Sequence, residues 1–193
     1  MKFRLIRQGA LPLLVGILLS GCLQVQETVY RFQLHEDGTM TGTIRFLGIV
    51  SSPEDGEDVS TSDFMSLVSD YLEGEVYENE HPFMEFSGKR FWVENNTLNG
   101  ELSFTMREVN AGGFLIDPGC DCAAIYLVLS DDYSPLVVSN GELIAGEACL
   151  RWPAGTTEFS LTAGPDDETE AGSSLASFYE RWQAGGEFPD KGN

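Results

Sequence analysis

Between residues 29 and 47, side chains alternate in character on either side of a short turn, and this feature constrains the fold more than any other. In residues 29–34, large apolar side chains alternate with a second set: Tyr30, Phe32 and Leu34 against Val29, Arg31 and Gln33. Residues 36–39 read Glu-Asp-Gly-Thr, a turn in which Gly38 can take a positive φ. Residues 40–47 place Met40, Gly42, Ile44 and Phe46 on one face. Because strand side chains alternate between two faces, this pattern predicts a β-hairpin with one buried face.

Further short strands are predicted along the chain. They cover residues 76–77, 83–86, 90–94, 101–109, 123–129, 136–138, 142–144, 148–152 and 158–162. The pairs Asn95-Asn96, Asn99-Gly100 and Asn140-Gly141 are expected to be turns between them.

Two segments show the spacing of amphipathic helices. Residues 62–73 place four apolar side chains at i, i+3, i+4 and i+7: Phe64, Leu67, Val68 and Tyr71. Ser62 or Thr61 is a candidate cap of this helix. Near the C-terminus, a second stripe consists of Leu175, Phe178, Tyr179 and Trp182. We expect this stripe to pack on the sheet, with binding of an envelope protein partner as the alternative.

The resulting expectation is an α+β fold, preceded by an N-terminal signal helix. An antiparallel, mostly meandering sheet would carry the two amphipathic helices on one face. Residues 1–21 would be a removed signal peptide, and 22–163 a β-rich domain with one inserted helix. Residues 164–193 would supply an acidic linker, the second helix and a frayed tail. The acidic segment 51–61 is expected to be a mobile loop.

The chain is strongly acidic, with 11 Lys and Arg against 31 Asp and Glu and a formal net charge of −20. Nucleic acid is therefore not an expected partner, because phosphate binding needs clustered basic residues. Adhesion of the protein surface to anionic lipid headgroups is disfavoured for the same reason.

The N-terminus resembles the signal peptide of bacterial lipoproteins. Lys2, Arg4 and Arg7 precede an uncharged stretch, residues 8–19, which is short for a membrane-spanning helix. The following Leu19-Ser20-Gly21-Cys22 is similar to a lipobox. This resemblance implies cleavage between Gly21 and Cys22, a diacylglyceryl group on the Cys22 thiol and an acyl chain on the new amino terminus.

Anchoring would then come from the lipid, because two or more acyl chains hold a protein stably at a membrane. Leu23 follows the cysteine. In the lipoproteins that this N-terminus resembles, an aspartate at that position is associated with retention in the inner membrane. The resemblance therefore implies anchoring in the outer membrane, with the domain facing the periplasm. An ordinary signal peptide or an uncleaved anchor is the alternative interpretation.

A second resemblance concerns the region after the lipobox. A hairpin with an Asp37-Gly38 turn, followed much later by Arg151-Trp152-Pro153, looks like LppM-type lipoprotein domains. The resemblance implies a β-rich envelope domain and supplies no catalytic residues. The C-terminal membrane helix of that family has no counterpart here.

Three other cysteines, Cys120, Cys122 and Cys149, follow Cys22. In an oxidising envelope, we expect one disulfide between Cys149 and either Cys120 or Cys122. A redox-active Cys-x-Cys or a three-thiolate metal site is the more specific alternative. In the sequence, however, no basic residue lies near Cys120 and Cys122 to lower the pKa of a thiol.

No motif for catalysis or cofactor binding occurs in the chain. Gly-x-Ser-x-Gly, Ser-x-x-Lys, His-Glu-x-x-His, phosphate-binding and dinucleotide-binding sequences are absent. His35 and His81 are expected to be exposed polar residues near turns. We therefore expect no catalytic residues, metal or cofactor beyond the acyl chains.

The expected function is a non-enzymatic binding or structural role at the membrane surface. A carrier of an apolar ligand between sheet and helices, and a hydrolase with an unrecognised site, are the alternatives.

Overall fold

The computed structural model describes residues 23–116, 124–129, 136–144, 149–164 and 172–186. The expected signal helix, Cys22, Cys120 and Cys122 lie outside these residues. The described chain is mostly antiparallel β-sheet with few helices, as expected for the α+β class.

Eleven strands are present in the described residues. They are β1 (Leu23–Leu34), β2 (Met40–Ser51), β3 (Met84–Glu94), β4 (Thr97–Met106), β5 (Phe114–Ile116), β6 (Ile125–Val128), β7 (Leu136–Ser139), β8 (Glu142–Leu143), β9 (Cys149–Trp152), β10 (Glu158–Ala163) and β11 (Ser173–Ser174). Three α-helices accompany them: α1 (Ser60–Ser66), which continues as a π-helical segment Leu67–Leu72, α2 (Val76–Glu80) and α3 (Ala176–Gln183). A short 3₁₀ turn spans Val109–Gly112.

The strands form two sheets rather than the single meandering sheet predicted. The main sheet has the order β3-β4-β2-β1-β10-β7, with β11 pairing to β2. The smaller sheet has the order β5-β6-β9-β8. The Asn140-Gly141 bend carries the chain from β7 in one sheet to β8 in the other. A Cβ on Gly141 would meet the Trp152 ring, so glycine allows this close crossing.

The predicted hairpin is confirmed and is longer than its sequence pattern. β1 and β2 pair from Leu34 opposite Met40 to Leu23 opposite Ser51. Gly38 has φ 83° in the turn. A bulge at Gly48, where φ is 74°, lies just beyond residues 40–47, on which the prediction of the second strand relied.

Two local predictions are wrong. Residues 76–77 belong to α2, because the Tyr77 ring packs among aromatic rings, 6.0 Å from Phe46 and 5.8 Å from Phe86. Asn99-Gly100 lies within β4, since the chain has already turned at Asn95 and Asn96, whose φ angles are 51° and 61°.

The first helix begins earlier than predicted. It starts at Ser60, and neither Thr61 nor Ser62 caps it. Instead, the backbone N–H of Ser60 donates a 3.0 Å hydrogen bond to the Asp58 carboxylate. The hydrogen bonds of the Ser60 side chain and backbone to this carboxylate lower the pKa of Asp58.

The helices cover one end of the apolar face of the main sheet. α1 contacts β2, and α3 contacts β3, β4 and α1. The rings of Phe64 and Phe178 lie 5.9 Å apart, and those of Phe91 and Tyr179 lie 6.0 Å apart. The second apolar stripe therefore packs as core, as expected, and Leu175 is fully buried.

The smaller sheet covers the other end of the same face. Phe114 lies 5.1 Å from Phe32, and Trp152 lies 5.1 Å from Phe159, measured between ring centroids. The helices and the smaller sheet thus both pack on the same face of the main sheet. Within the described residues, nothing covers much of its opposite face, where alternation of the strands places polar residues such as Arg31, Thr43 and Ser160.

None of the helices among the described residues is long and apolar enough to cross a membrane.

Candidate functional site

The uncovered face of the main sheet forms an open groove with a volume of about 660 Å³. This is within the range of small-molecule sites, roughly 300–1,000 Å³. Polar residues from several strands line it: Arg31, Gln33, Thr41, Thr43, Ser87, Ser103, Thr105, Asn140, Glu158, Ser160 and Thr162. The lining also includes Val29, Gly42 and the core residues Phe32, Phe104 and Phe159. Val29 is the one apolar side chain that strand alternation places on this face among the described lining residues.

The alternation of β1 creates the groove. Tyr30 and Phe32 point into the core and are buried, so Arg31 between them points outward. Arg31 lies opposite Thr43 of β2 and Ser160 of β10. Sequence periodicity separated these two faces correctly. It did not mark the outer face as a site, because polar residues on a solvated strand face are ordinary.

Arg31 is the cation at the centre of the groove. Its side chain is exposed, and its guanidinium makes no hydrogen bond or ion pair with any of the described residues. Glu158 is the carboxylate of the lining; it pairs across the strands with Gln33, which makes it a diagonal neighbour of Arg31. Diagonal neighbours are about 7–8 Å apart, a distance that long side chains can bridge, but the Arg31 guanidinium and the Glu158 carboxylate form no ion pair here. The guanidinium is thus available to an incoming anion.

Asn140 fixes the rim of the groove where the two sheets meet. Its Nδ2 donates to the Glu158 carbonyl at 3.0 Å. Its Oδ1 accepts from the Ser160 backbone N–H at 2.9 Å and from the Trp152 indole at 2.7 Å. One side chain therefore holds β10 and β9 in place beside the groove.

A second group of charges lies farther along the same face. Glu101 is nearly buried and accepts bonds from Arg45 at 2.5 Å and from Arg90 at 2.7 Å. Burial raises the pKa of the Glu101 carboxyl, but the bonds and charges of the two arginines outweigh this and lower it overall. The Arg90 guanidinium also lies 5.3 Å from the centre of the Trp92 ring. These two arginines are paired, unlike Arg31.

The two histidines differ from each other. His35 is exposed, as expected, and its Nε2 lies 2.9 Å from the Thr41 hydroxyl at the end of the groove. No carboxylate among the described residues contacts the other ring nitrogen of His35. We therefore interpret this contact as one that stabilises the hairpin turn and not as one that activates the Thr41 hydroxyl as a nucleophile.

The prediction that His81 is exposed is wrong. Its side chain is buried, stacked on the Tyr77 ring at 5.4 Å, with Nδ1 3.2 Å from the Tyr77 carbonyl. His81 caps α2, which ends at Glu80, and its ring also lies 6.0 Å from that of Phe83. The residue is a packing element away from the groove.

The predicted lipidation and cleavage residues, Cys22 and Gly21, cannot be compared with the structure, since they lie outside the described residues. Cys149 is half-buried and lies opposite Val128, at the end of β6 farther along the chain from Cys120 and Cys122. The disulfide stays a prediction.

No metal site is found in the described parts of the chain, and the cavity between the helices and the sheet is small. No group of three His, Cys, Asp or Glu side chains there could hold a metal ion. A cavity between the helices and the sheet, lined by Leu67, Tyr71 and Tyr77 among others, has a volume of about 30 Å³. It is large enough for one water molecule and much too small for an acyl chain.

No family model, curated protein or solved structure matches this chain. Both lipoprotein resemblances therefore rest on the short motifs described above. The function has to be argued from the groove and from the N-terminal motif.

Proposed function

We propose that this chain is a lipid-anchored, non-enzymatic binding module of the bacterial envelope, and that the polar groove is its binding surface. The proposal includes an N-terminal signal helix, cleavage at Gly21 and acylation of Cys22. It also includes the periplasmic side of the outer membrane as the location.

The observation that carries the proposal is the uncovered polar face. Both the helices and the smaller sheet pack on the opposite face, so the groove remains open beside a rigid core. Hydroxyl and amide side chains from separate strands converge there, held by continuous strand pairing. Such an arrangement presents hydrogen-bonding groups at fixed positions, and this reduces the ordering cost of binding.

The anchor and the groove share β1. Arg31 follows Leu23 by eight residues along an extended strand, which corresponds to about 26 Å at 3.3 Å per residue. A lipid on Cys22 would hold the groove at about this distance from the point of attachment. The ligand is accordingly expected to lie close to the membrane, within the envelope.

The alternative functions receive less support. An apolar carrier needs a cavity of roughly 300 Å³ or more, and the space between helices and sheet has a tenth of that volume. A hydrolase needs a nucleophile, an oriented base and donors for developing charge. The Thr41–His35 contact supplies a hydroxyl beside an imidazole, and no carboxylate of the described residues orients that imidazole.

The anchor is tested by Cys22→Ser in bacterial cells that export the protein. Loss of the thiol removes the site of diacylglyceryl transfer, so we expect the variant to leave the membrane fraction and to incorporate no labelled palmitate. Cys149→Ser is the matched control and should stay membrane-bound and labelled. A Cys22→Ser protein that remains membrane-bound and labelled contradicts the anchor.

The groove is tested by photo-crosslinking in the same cells. A benzophenone side chain replaces Ser87 at the groove rim or, as control, Glu180 on the exposed side of α3. We expect a discrete adduct from position 87 and none from position 180. The absence of a discrete adduct at position 87, or equal adducts at both positions, contradicts the groove as the binding surface.

A further inference from the structure

We infer that the groove binds an acidic sugar chain, with one oxyanion of the ligand on Arg31 and its hydroxyl groups on the surrounding Ser and Thr side chains. This inference rests on the proposed function, because it assigns a ligand class to the same groove.

The unpaired state of Arg31 is the first argument. Other basic side chains in or next to the described strands have a carboxylate partner: Arg45 and Arg90 with Glu101, Lys89 with Glu78, Arg107 with Glu85, and Arg151 with Glu142. In a chain with 31 acidic residues, a partner for an arginine is easily found. Arg31, at the centre of the groove, has none among the described residues. A guanidinium binds carboxylate or phosphate oxygens through two parallel hydrogen bonds.

The hydroxyl-rich lining is the second argument. Seven Ser and Thr side chains line the groove: Thr41, Thr43, Ser87, Ser103, Thr105, Ser160 and Thr162. Each hydroxyl both donates and accepts hydrogen bonds, as does each hydroxyl of a sugar. Gln33 and Asn140 add amide groups at the same face. An apolar ligand would leave these groups unpaired, at a cost for each.

The position of Glu158 limits how the ligand lies. Its carboxylate repels a second oxyanion at the β10 side, next to Gln33. The acidic group of the ligand is therefore directed to Arg31, with neutral, hydroxyl-bearing parts along Thr43 and Thr105. Because the rest of the protein is acidic, such a ligand is held at the groove alone and repelled elsewhere.

The inference is tested with three probes added to the ¹⁵N-labelled protein. They are a hyaluronan tetrasaccharide, which carries carboxylates, chitotetraose, which carries none, and inorganic phosphate. We expect the hyaluronan fragment to bind at least about 10-fold more tightly than either of the others, as for a bond to a charged group. Its signature is a shift of the Arg31 Nε–H resonance and of the Thr43 and Ser160 amides.

Variants assign the effect to the guanidinium. Arg31→Gln should weaken binding of the hyaluronan fragment about 10-fold and leave binding of chitotetraose unchanged. Glu158→Gln should strengthen binding of the hyaluronan fragment, since this substitution removes a negative charge that repels the carboxylates of the ligand. Arg107→Gln, which removes a cation already paired with Glu85, is the control and should change binding less than twofold. Unchanged melting of Arg31→Gln shows that the fold is intact.

The outcomes separate the two proposals. Equal binding of hyaluronan and chitotetraose fragments, with no effect of Arg31→Gln, overturns the oxyanion assignment and keeps the groove as a sugar site. Phosphate binding as tight as that of the tetrasaccharide overturns the role of the hydroxyl groups. No binding of any probe overturns the ligand class, and the crosslink at position 87 then decides separately whether the groove binds anything.

Discussion

Two buried tyrosines have opposite hydrogen-bonding states. The Tyr179 hydroxyl donates to the Phe91 carbonyl at 2.8 Å and accepts from Gln183 at 3.0 Å. The Tyr77 hydroxyl is buried without a hydrogen-bond partner in the described residues, and burial raises its pKa. An unsatisfied buried hydroxyl costs about 1–3 kcal/mol, whereas a satisfied one contributes about 1 kcal/mol.

The same substitution should therefore act in opposite directions at the two positions. Tyr77→Phe should raise the free energy of unfolding by about 1 kcal/mol, and Tyr179→Phe should lower it by about 1 kcal/mol. Urea unfolding followed by tryptophan fluorescence measures both. A loss of stability in Tyr77→Phe equal to that in Tyr179→Phe would show that the Tyr77 hydroxyl is satisfied in solution.

Glu101 makes the stability of the fold depend on pH. Its pKa is lower in the folded chain, so its contribution is full above the ordinary pKa of a glutamate and is lost as pH falls through the folded value. Glu101→Gln should cost about 1 kcal/mol at neutral pH, kept small because Arg45 and Arg90 are solvent-exposed. The difference from the unsubstituted protein should shrink as the solution is acidified.

Unfolding curves from neutral to acidic pH measure this difference. Glu85→Gln is the matched control, since Glu85 pairs with Arg107 in solvent and should contribute little. A deficit in Glu101→Gln that stays constant down to low pH would contradict the role given to the ion pairs.

At the scale of elements, the packing of β2 against its neighbours β1 and β4 depends on a glycine. Gly42 lies opposite Phe104 and Phe32 in the two neighbouring strands. A Cβ at this position would overlap the Phe104 ring and come 2.8 Å from the Arg31 carbonyl oxygen. Gly88 on β3 is open by comparison, with its nearest neighbour, the Ser103 Cβ, at 4.0 Å.

Gly42→Ala should consequently destabilise the protein by about 1–3 kcal/mol through overpacking, whereas Gly88→Ala should change stability little. Thermal and urea unfolding of both variants provide the measurement. This account of the packing would be contradicted if Gly88→Ala lowered the free energy of unfolding as much as Gly42→Ala, or more.

The elements differ in how well their sequences specify them. The hairpin was predictable because Tyr30 and Phe32 alternate with polar residues over several positions, and its Asp-Gly turn is unambiguous. The second helix was missed because its residues show no period of their own; the ring contacts of Tyr77 decide its conformation. Asn99 was mistaken for a turn residue, whereas its amide oxygen accepts the Gly48 N–H at 3.1 Å across the bulge.

At the scale of the whole molecule, the sequence indicated the class of fold but not the division into two sheets. That division depends on contacts between residues far apart in the chain, such as Asn140 with Trp152 and Ser160. The groove could not be predicted for the same reason. Its residues come from separate strands, and only their pairing brings Arg31 between Thr43 and Ser160.

The central position of β1 also has a mechanical consequence. The strand is hydrogen-bonded to β2 on one side and to β10 on the other. With a tether at Cys22, as proposed, a ligand pulled away from the membrane would load β1 along its own axis. Its bonds to both neighbours would then bear the force together, in shear, instead of opening one after another from the end. We expect the domain to resist such a pull far better than a peeling force on the edge strand β7.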